Sequence, residues 1–422
     1  MVGQLGPDPI ANKLSLLPYV FLSASSAEGE SIDEVVLDAL CAIRLYLDME
    51  VAFIAEFSGG RRRFRYVDSS LEHPPIAVGD SNPLEESYCQ RVVDGRLPEL
   101  IQDASAIPAA LELPVTMDLP VGAHLSVPIR LGNGQLYGTF CCFSTRPDFT
   151  LGNRDLSIMR VFANFASRQI GRELATQRQY REMRQRIVSV LESESFTIVY
   201  QPIVHLGDNK IIGFEALTRF WSRPIRSPDV WFNEAAEVGL SEELEMAAIA
   251  KALTGFDQLP DDIYLSLNVS PDNILNGAIH RALHNAPLDR IVLEVTEHVP
   301  IPDYSQFGQA LAPLRDRGIR LAVDDAGSGY ASFLHILKLK PEIIKLDIGL
   351  IRDIDTDLNR RALTAALVGF AQESGSQLVA EGVETAPECT ALKQLCVNKA
   401  QGYLLGHPLP IGETAALFQG QG

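Results

Sequence analysis

Across 422 residues there are only six cysteines and two tryptophans, and no cysteine falls in a Cys-x-x-Cys or Cys/His zinc spacing. That scatter argues against structural zinc and a disulfide framework, and a reducing cytoplasm is the expected setting. Runs of five or six basic residues are also missing: the densest cluster is Arg61-Arg62-Arg63 with Arg65, in a chain of formal net charge -18. Binding a nucleic-acid polymer needs a basic surface, so none is expected as a partner, whereas a small phosphate ester is admissible if metal ions screen the repulsion. No stretch of 18 apolar residues exists, so no membrane span is expected. Lys13, the run LSLLPYVFL and then SASSA superficially resemble a secretory signal. The run is short, Pro18 interrupts it and Asp8 stands where a signal is positive, so residues 1–30 are expected to be a packed segment leading into the first domain.

What is present is ordinary globular material, 46 % hydrophobic and 21 % charged, in a chain long enough for two or three domains. Residues 31–170 form a first block. Ile32, Val35, Val36, Ala39, Leu40, Ile43 and Leu47 recur at helical spacing, with Ser31 as N-cap ahead of Glu34. VAFIAEF and RFRYVD read as one hairpin; HLSVPIRL and QLYGTFCCFS, separated by Gly132-Asn133-Gly134, read as another. Helix, hairpin, irregular middle, hairpin and final helix make an α+β domain. Asn153 to Ser193 is helical in pattern and free of proline, turning from apolar to polar, so residues 171–193 are expected to be a connecting helix. Its apolar positions are too irregular for a clean heptad, which leaves a dimeric coiled coil and a solvated connector both open.

From Ser195 the rhythm changes to short apolar strands separated by helix-length segments: FTIVYQPIV, KIIGFEALTRF, IYLSLNVS, RIVLEVTE, RLAVDDAG, EIIKLD, QLVAEGVE and KAQGYLLG. Eight strands with intervening helices point to an α/β barrel of the TIM type over residues 194–422. His205-Leu206-Gly207-Asp208-Asn209 is too short for a crossover helix, so the first two strands should be antiparallel. Nearly every strand ends in a polar group: Glu215; Asn268; Glu294 and Glu297; Asp324 and Asp325; Lys345 and Asp347; Glu381 and Glu384; Gln401. The carboxyl ends of barrel strands face one cavity, so these groups should converge. Oxygen ligands suit Mg²⁺ or Mn²⁺, and the Asp324-Asp325 pair suits bridging two metals. From the residues alone, metal-assisted hydrolysis stands beside an enolase-type proton abstraction.

In the order YQPIV, EALTR, LNVS, LEVTE, DDAGSGYAS, IKLD, AEGVE and QGY, residues from about 195 to 418 resemble the EAL family of cyclic di-GMP phosphodiesterases, whose name motif stands as Glu215-Ala216-Leu217. The resemblance implies a barrel with an antiparallel first strand and a hydrolase that opens one 3′–5′ ester to give linear pGpG with two Mg²⁺ or Mn²⁺ ions. By position it implies metal ligands at Glu215, Asn268, Glu294, Asp324 and Asp325, with Gln401 on the second-metal side. Glu381 and Lys345 would be catalytic, and Gln201, Leu217 and Arg219 would contact the substrate. Glu297 resembles the anchor of the loop after strand five, where Ala326 and Ser328 replace the family's usual phenylalanine and threonine. The expected alternative is an inactive cyclic di-GMP receptor signalling through the connecting helix, and a homodimer is expected in either case. The first block resembles a GAF domain, a small-molecule-binding or dimerising module; its ligand, if any, is not readable. Cys89 near His73, or Cys141 beside Cys142, raises a thiol or haem sensor against the favoured reading of buried structural cysteines. Successive strand residues point to opposite faces, so Cys141 and Cys142 should not pair.

Overall fold

The computed structural model describes residues 32–296, 301–326 and 330–418. Residues 1–30, the Ser31 cap, the Glu297 anchor and Gly327-Ser328-Gly329 lie outside the described residues. The chain separates into two compact units, one running to Gln179 and the other starting at Tyr180.

In the first unit the helical spacing produces a helix over Ile32–Leu47, whose Val36, Ala39, Leu40, Ile43 and Leu47 face inward. The two expected hairpins are present as β1 (Val51–Ser58) with β2 (Arg61–Ser69), and β5 (Ala123–Arg130) with β6 (Leu136–Ser144). Gly134, at φ 82°, supplies the left-handed residue that the second turn requires. The irregular middle contributes two short strands, β3 (Ser81–Pro83) and β4 (Leu100–Ile101), and the sheet runs β3-β2-β1-β6-β5-β4. Its pairings are antiparallel. Alternation divides the two faces. Ala52, Ile54, Leu125, Phe140 and Cys142 join the core under Ile32–Leu47, while Phe53, Phe64, Cys141 and Phe143 join a second core with Tyr88 and Cys89.

One continuous helix covers Asn153–Glu192. Its Leu156, Met159, Phe162 and Ile170 belong to the first unit's core, and its Met183, Ile187 and Val190 to the second's.

The second unit is a closed barrel. It comprises β7 (Phe196–His205), β8 (Lys210–Phe220), β9 (Tyr264–Asn268), β10 (Ile291–Thr296), β11 (Arg320–Ala326), β12 (Ile343–Leu346), β13 (Gln377–Ala380) and β14 (Lys399–Ala400). The short turn makes β7 and β8 antiparallel, and β8 to β14 then pair in parallel, neighbour to neighbour. Closure comes from β14 against β7, with Lys399 opposite His205. A short strand that the sequence pattern did not reveal, β15 (Leu409–Pro410), also pairs with β7.

Register decides which side chains meet. Gln201 lies opposite Glu215, which pairs with Ser266; Asn268 pairs with Glu294 and Glu294 with Ala322; Lys345 pairs with Val379. With a side-chain period of two, these residues all point into the barrel, and the intervening Leu265, Leu267, Leu293, Leu321, Val323 and Ile344 point out under the helices. Below the polar layer Ile203, Tyr264, Val292, Ala322, Ile343 and Val379 fill the interior. Gly213 is required there: a Cβ would lie 2.6 Å from the Tyr264 ring.

Candidate active site

Lys345 stands at the centre. It is 1 % exposed, and its Nζ lies 2.6 Å from Glu381 Oε1, 2.7 Å from Glu294 Oε2, 3.1 Å from Asp324 Oδ1 and 3.6 Å from Glu215 Oε2. The carboxylates come from four different strands or strand ends, and Glu215, Glu294 and Asp324 are held by further bonds. Glu215 accepts from Asn268 Nδ2 at 3.0 Å and from Gln401 Nε2 at 2.7 Å, and Gln401 also donates to Gln201 Oε1 at 3.0 Å. Glu294 accepts from the buried Ser266 hydroxyl. Asp325 has a left-handed backbone, φ 56°, and its N–H donates to Asp324 Oδ1 at 3.0 Å. That turn lets two successive residues face the same site: Asp324, Asp325 and Glu381 each offer an oxygen within 4.8 Å of the others.

A cavity of about 310 Å³ opens above this cluster, lined by Gln201, Glu215, Leu217, Asp324, Lys345, Glu381 and Gln401 together with Ile348, Gly382, Glu384, Gly402 and Tyr403. Size does not single it out, since clefts of about 410 and 580 Å³ lie elsewhere on the unit. Converging charge does.

The electrostatics follow from crowding. Burial works against the Lys345 ammonium, but Asp324, Glu215, Glu294 and Glu381 hold its pKa well above the usual lysine range. Burial, with Glu215 and Asp324 adding repulsion against the opposing pull of Lys345, pushes the Glu294 carboxyl up to about 8. Glu381 is raised well above the carboxylate range by burial and by the neighbouring carboxylates, which together outweigh Lys345. Glu215 goes the other way: burial is outweighed by Lys345, Gln401 and Asn268, and its pKa is lowered. Four carboxylates around one ammonium, with Asp325 beside Asp324 and Glu381, leave an excess of negative charge that a buried site sustains only by taking up protons or cations.

The structure thus brings together Gln201, Glu215, Leu217, Asn268, Glu294, Asp324, Asp325, Lys345, Glu381 and Gln401. Arg219 is placed differently: it is exposed, its Nη1 donates to the Thr218 carbonyl at 2.9 Å, and it is not among the cavity-lining residues. Asp347 caps the turn Ile348–Ile351 by accepting from Gly349 N–H, so it serves local structure. Glu384 reaches the cavity rim but pairs with Arg352 at 2.6 Å. Ser266, Ile348 and Tyr403 were not singled out in the sequence. Ser266 could have been found from strand parity, lying two positions before Asn268. The other two follow the strand ends and carry no periodic signal.

A (β/α)8-type barrel with a reversed first strand and a carboxylate–lysine cluster at its strand ends defines the class. The EAL domain family model matches residues 181–408, more than half of the sequence, and the chain belongs to that family. The GAF domain model matches residues 31–170. The chain is 29 % identical over 262 residues to the cyclic di-GMP phosphodiesterase NbdA of Pseudomonas aeruginosa, a match covering 59 % of this chain and 33 % of NbdA. It spans less than half the length of the curated relatives it matches. Among solved structures, the PaMucR phosphodiesterase in complex with c-di-GMP is 28 % identical, with a TM-score of 0.50 over 55 % of this chain and 99 % of that one. The EAL enzyme Bd1971 in a cAMP- and cyclic-di-GMP-bound form shares the fold at 19 % identity, with a TM-score of 0.54, covering 87 % of this chain and 93 % of that one.

Proposed function

We propose that this protein is a cyclic di-GMP phosphodiesterase that opens one 3′–5′ phosphodiester to give linear pGpG, with residues 31–170 as a regulatory module joined through residues 171–193 to the barrel at 194–422. The observation that carries the reading is the Lys345 ammonium surrounded by Glu215, Glu294, Asp324 and Glu381 beneath an open cavity.

The donor set fits a hard divalent cation. It offers carboxylate oxygens and the Asn268 amide oxygen, which remains available because Asn268 binds Glu215 through its Nδ2. Glu215, Asn268, Glu294, Asp324 and Asp325 would hold two Mg²⁺ or Mn²⁺ ions, with Gln401 on the second-metal side. Bound there, divalent cations would neutralise the carboxylates and polarise the phosphoryl group and an attacking water.

The protein's own groups supply the rest. Glu381, lining the cavity 2.6 Å from Lys345, accepts the proton of the attacking water. Lys345 donates to a non-bridging phosphoryl oxygen, where negative charge builds as the water oxygen bonds to phosphorus. The bond from phosphorus to the 3′ oxygen breaks, that oxygen takes a proton, and the phosphate stays on the 5′ side. Gln201 and Gln401 fix the cavity floor, and Leu217 gives a guanosine an apolar surface. Arg219, free of the cavity lining, can meet a phosphate only by swinging inward from its exposed position.

Single-turnover incubation of the purified protein with cyclic di-GMP and Mg²⁺, resolved by ion-exchange chromatography, tests the proposal. Appearance of pGpG supports it; saturable binding with the dinucleotide returned intact would establish the receptor alternative instead.

A further inference from the structure

The first unit holds a second reactive cluster, remote in sequence from the barrel residues. Cys89, in the helix Tyr88–Val93, and Cys141, on β6, are fully buried with their Sγ atoms 3.6 Å apart. A disulfide needs about 2.05 Å, so the sulfurs must close by roughly 1.5 Å. Each sulfur has its own partners. The guanidinium of Arg62 donates from Nη1 to Cys89 Sγ at 3.2 Å. Cys141 donates to Thr139 Oγ1 at 3.2 Å and lies 3.1 Å from Ser126 Oγ.

Arg62 is itself 5 % exposed. Its Nε donates to Asn82 Oδ1 at 3.1 Å, and its guanidinium lies over the Phe53 and Phe64 rings. A buried cation is costly without an anion, and the anion this arrangement offers is the Cys89 thiolate. The two thiols are accordingly driven apart. Burial opposes ionisation of Cys89, but the bond with Cys141 and the charge of Arg62 lower its pKa, while burial and Cys89 itself raise that of Cys141. Arg62 also lines a cavity of about 20 Å³ with Tyr88 and His124, large enough for one molecule of water size.

We propose that Cys89 and Cys141 form a redox-active dithiol that hydrogen peroxide converts to an intramolecular disulfide. The Cys89 thiolate attacks one peroxide oxygen; the O–O bond breaks, and the departing oxygen leaves as water after taking a proton, giving a sulfenic acid on Cys89. The Cys141 sulfur then attacks the Cys89 sulfur, giving up its proton; the S–O bond breaks and a second water leaves. Two electrons pass from the thiols to the peroxide, and a reduced thiol reverses the change. Cys142 takes no part because it faces the other side of β6. The new bond ties Tyr88–Val93 to β6 and removes the sulfur anion from Arg62.

The test uses the full chain. After hydrogen peroxide treatment, unreacted thiols are alkylated under denaturing conditions and the peptides are mapped by mass. The expected product is a Cys89–Cys141 cross-link two hydrogens lighter than the reduced pair and reversed by dithiothreitol, with fragmentation placing the bond on Cys141 and leaving Cys142 alkylated. In Cys141→Ser, Cys89 should stop at a sulfenic acid trapped by dimedone; Arg62→Gln should slow wild-type cross-linking at least about tenfold. Recovery of both thiols fully alkylated from the folded wild type, or a cross-link through Cys142, would overturn the proposal without reliance on any variant.

Discussion

Lys345 Nζ, on β12, and Glu381 Oε1, just past the end of β13, stand 2.6 Å apart, and that pair joins the β13 end to the other carboxylates through a single ammonium. Removing one partner from a buried ionic cluster leaves charge uncompensated, at a cost of about 3–5 kcal/mol. Lys345→Met should therefore destabilise the metal-free barrel by about that amount, with Mg²⁺ restoring part of it. Urea unfolding followed by tryptophan fluorescence reads this directly, because Trp221 and Trp231 both lie in the second unit. Stability equal to wild type would mean that the carboxylates are already neutral in the fold.

Glu381→Gln preserves shape and removes the carboxylate proposed to accept the proton. A fall in kcat of roughly 10²-fold or more, about 2.7 kcal/mol in barrier, is expected with substrate binding retained. Asn268→Ala instead removes a neutral oxygen donor, so metal titrations should separate the two variants. Asn268→Ala shifts the midpoint, whereas Glu381→Gln lowers the plateau; near wild-type kcat in Glu381→Gln would remove that residue from the proton-transfer role.

Metal substitution probes the same site from outside. Mg²⁺ or Mn²⁺ should support turnover and Ca²⁺ should inhibit it, because the larger ion prefers longer bonds and more ligands. Undiminished hydrolysis in a chelator would rule out dependence on divalent ions.

His124 gives a pH dependence of stability with a definite sign. It is 3 % exposed, its Nδ1 has no hydrogen-bond partner among the described residues, and burial followed by the charge of Arg62 brings its pKa down to about 3. An unfolded histidine takes a proton near pH 6.5, which the folded one refuses. Between about pH 6.5 and 3 the unfolded state binds more protons, so stability falls as pH falls, by up to about 1.4 kcal/mol per pH unit from this residue. Amide exchange in β5, corrected for intrinsic rate, should show that slope reduced in His124→Gln. An unchanged slope would mean that His124 is protonated inside the fold.

Gly213→Ala should cost about 1–3 kcal/mol, since the new methyl would meet the Tyr264 ring at 2.6 Å inside a filled barrel. Thermal unfolding measures it, and a loss below about 0.5 kcal/mol would show that Tyr264 has another rotamer open to it.

Much of this architecture was legible because barrel strands write their geometry in alternation. Glu215, Glu294, Asp324 and Lys345 each follow an inward parity set by outward leucines, valines and isoleucines, and a four-residue turn left β7 and β8 no parallel option. Arg219 is set apart from its motif neighbours Leu217 and Glu215, which do face the cavity, because β8 continues past the rim by the time it reaches Arg219. The Cys89–Cys141 contact could not be read at all: the two lie 52 positions apart, with an irregular stretch and β5 between them, and only the placement of Tyr88–Val93 over β6 joins them. β15 was hidden by its two-residue length.

Closure of β14 onto β7 gives the site a sequence span that bears on how the protein is made. Gln401 bonds Gln201 and Glu215 across 200 and 186 residues, so the cluster cannot exist until nearly the whole barrel has left the ribosome. Until then Glu215 lacks the Gln401 bond that helps keep it ionised, and the β7 edge that Lys399 and Ala400 will cover stays open to other chains. Loss of the chain from Lys399 onward would therefore leave a barrel seam unsealed, with an exposed strand edge as a nucleus for aggregation. A partially synthesised chain would be expected to depend on chaperones late in translation, at the point where the eighth strand must find the first.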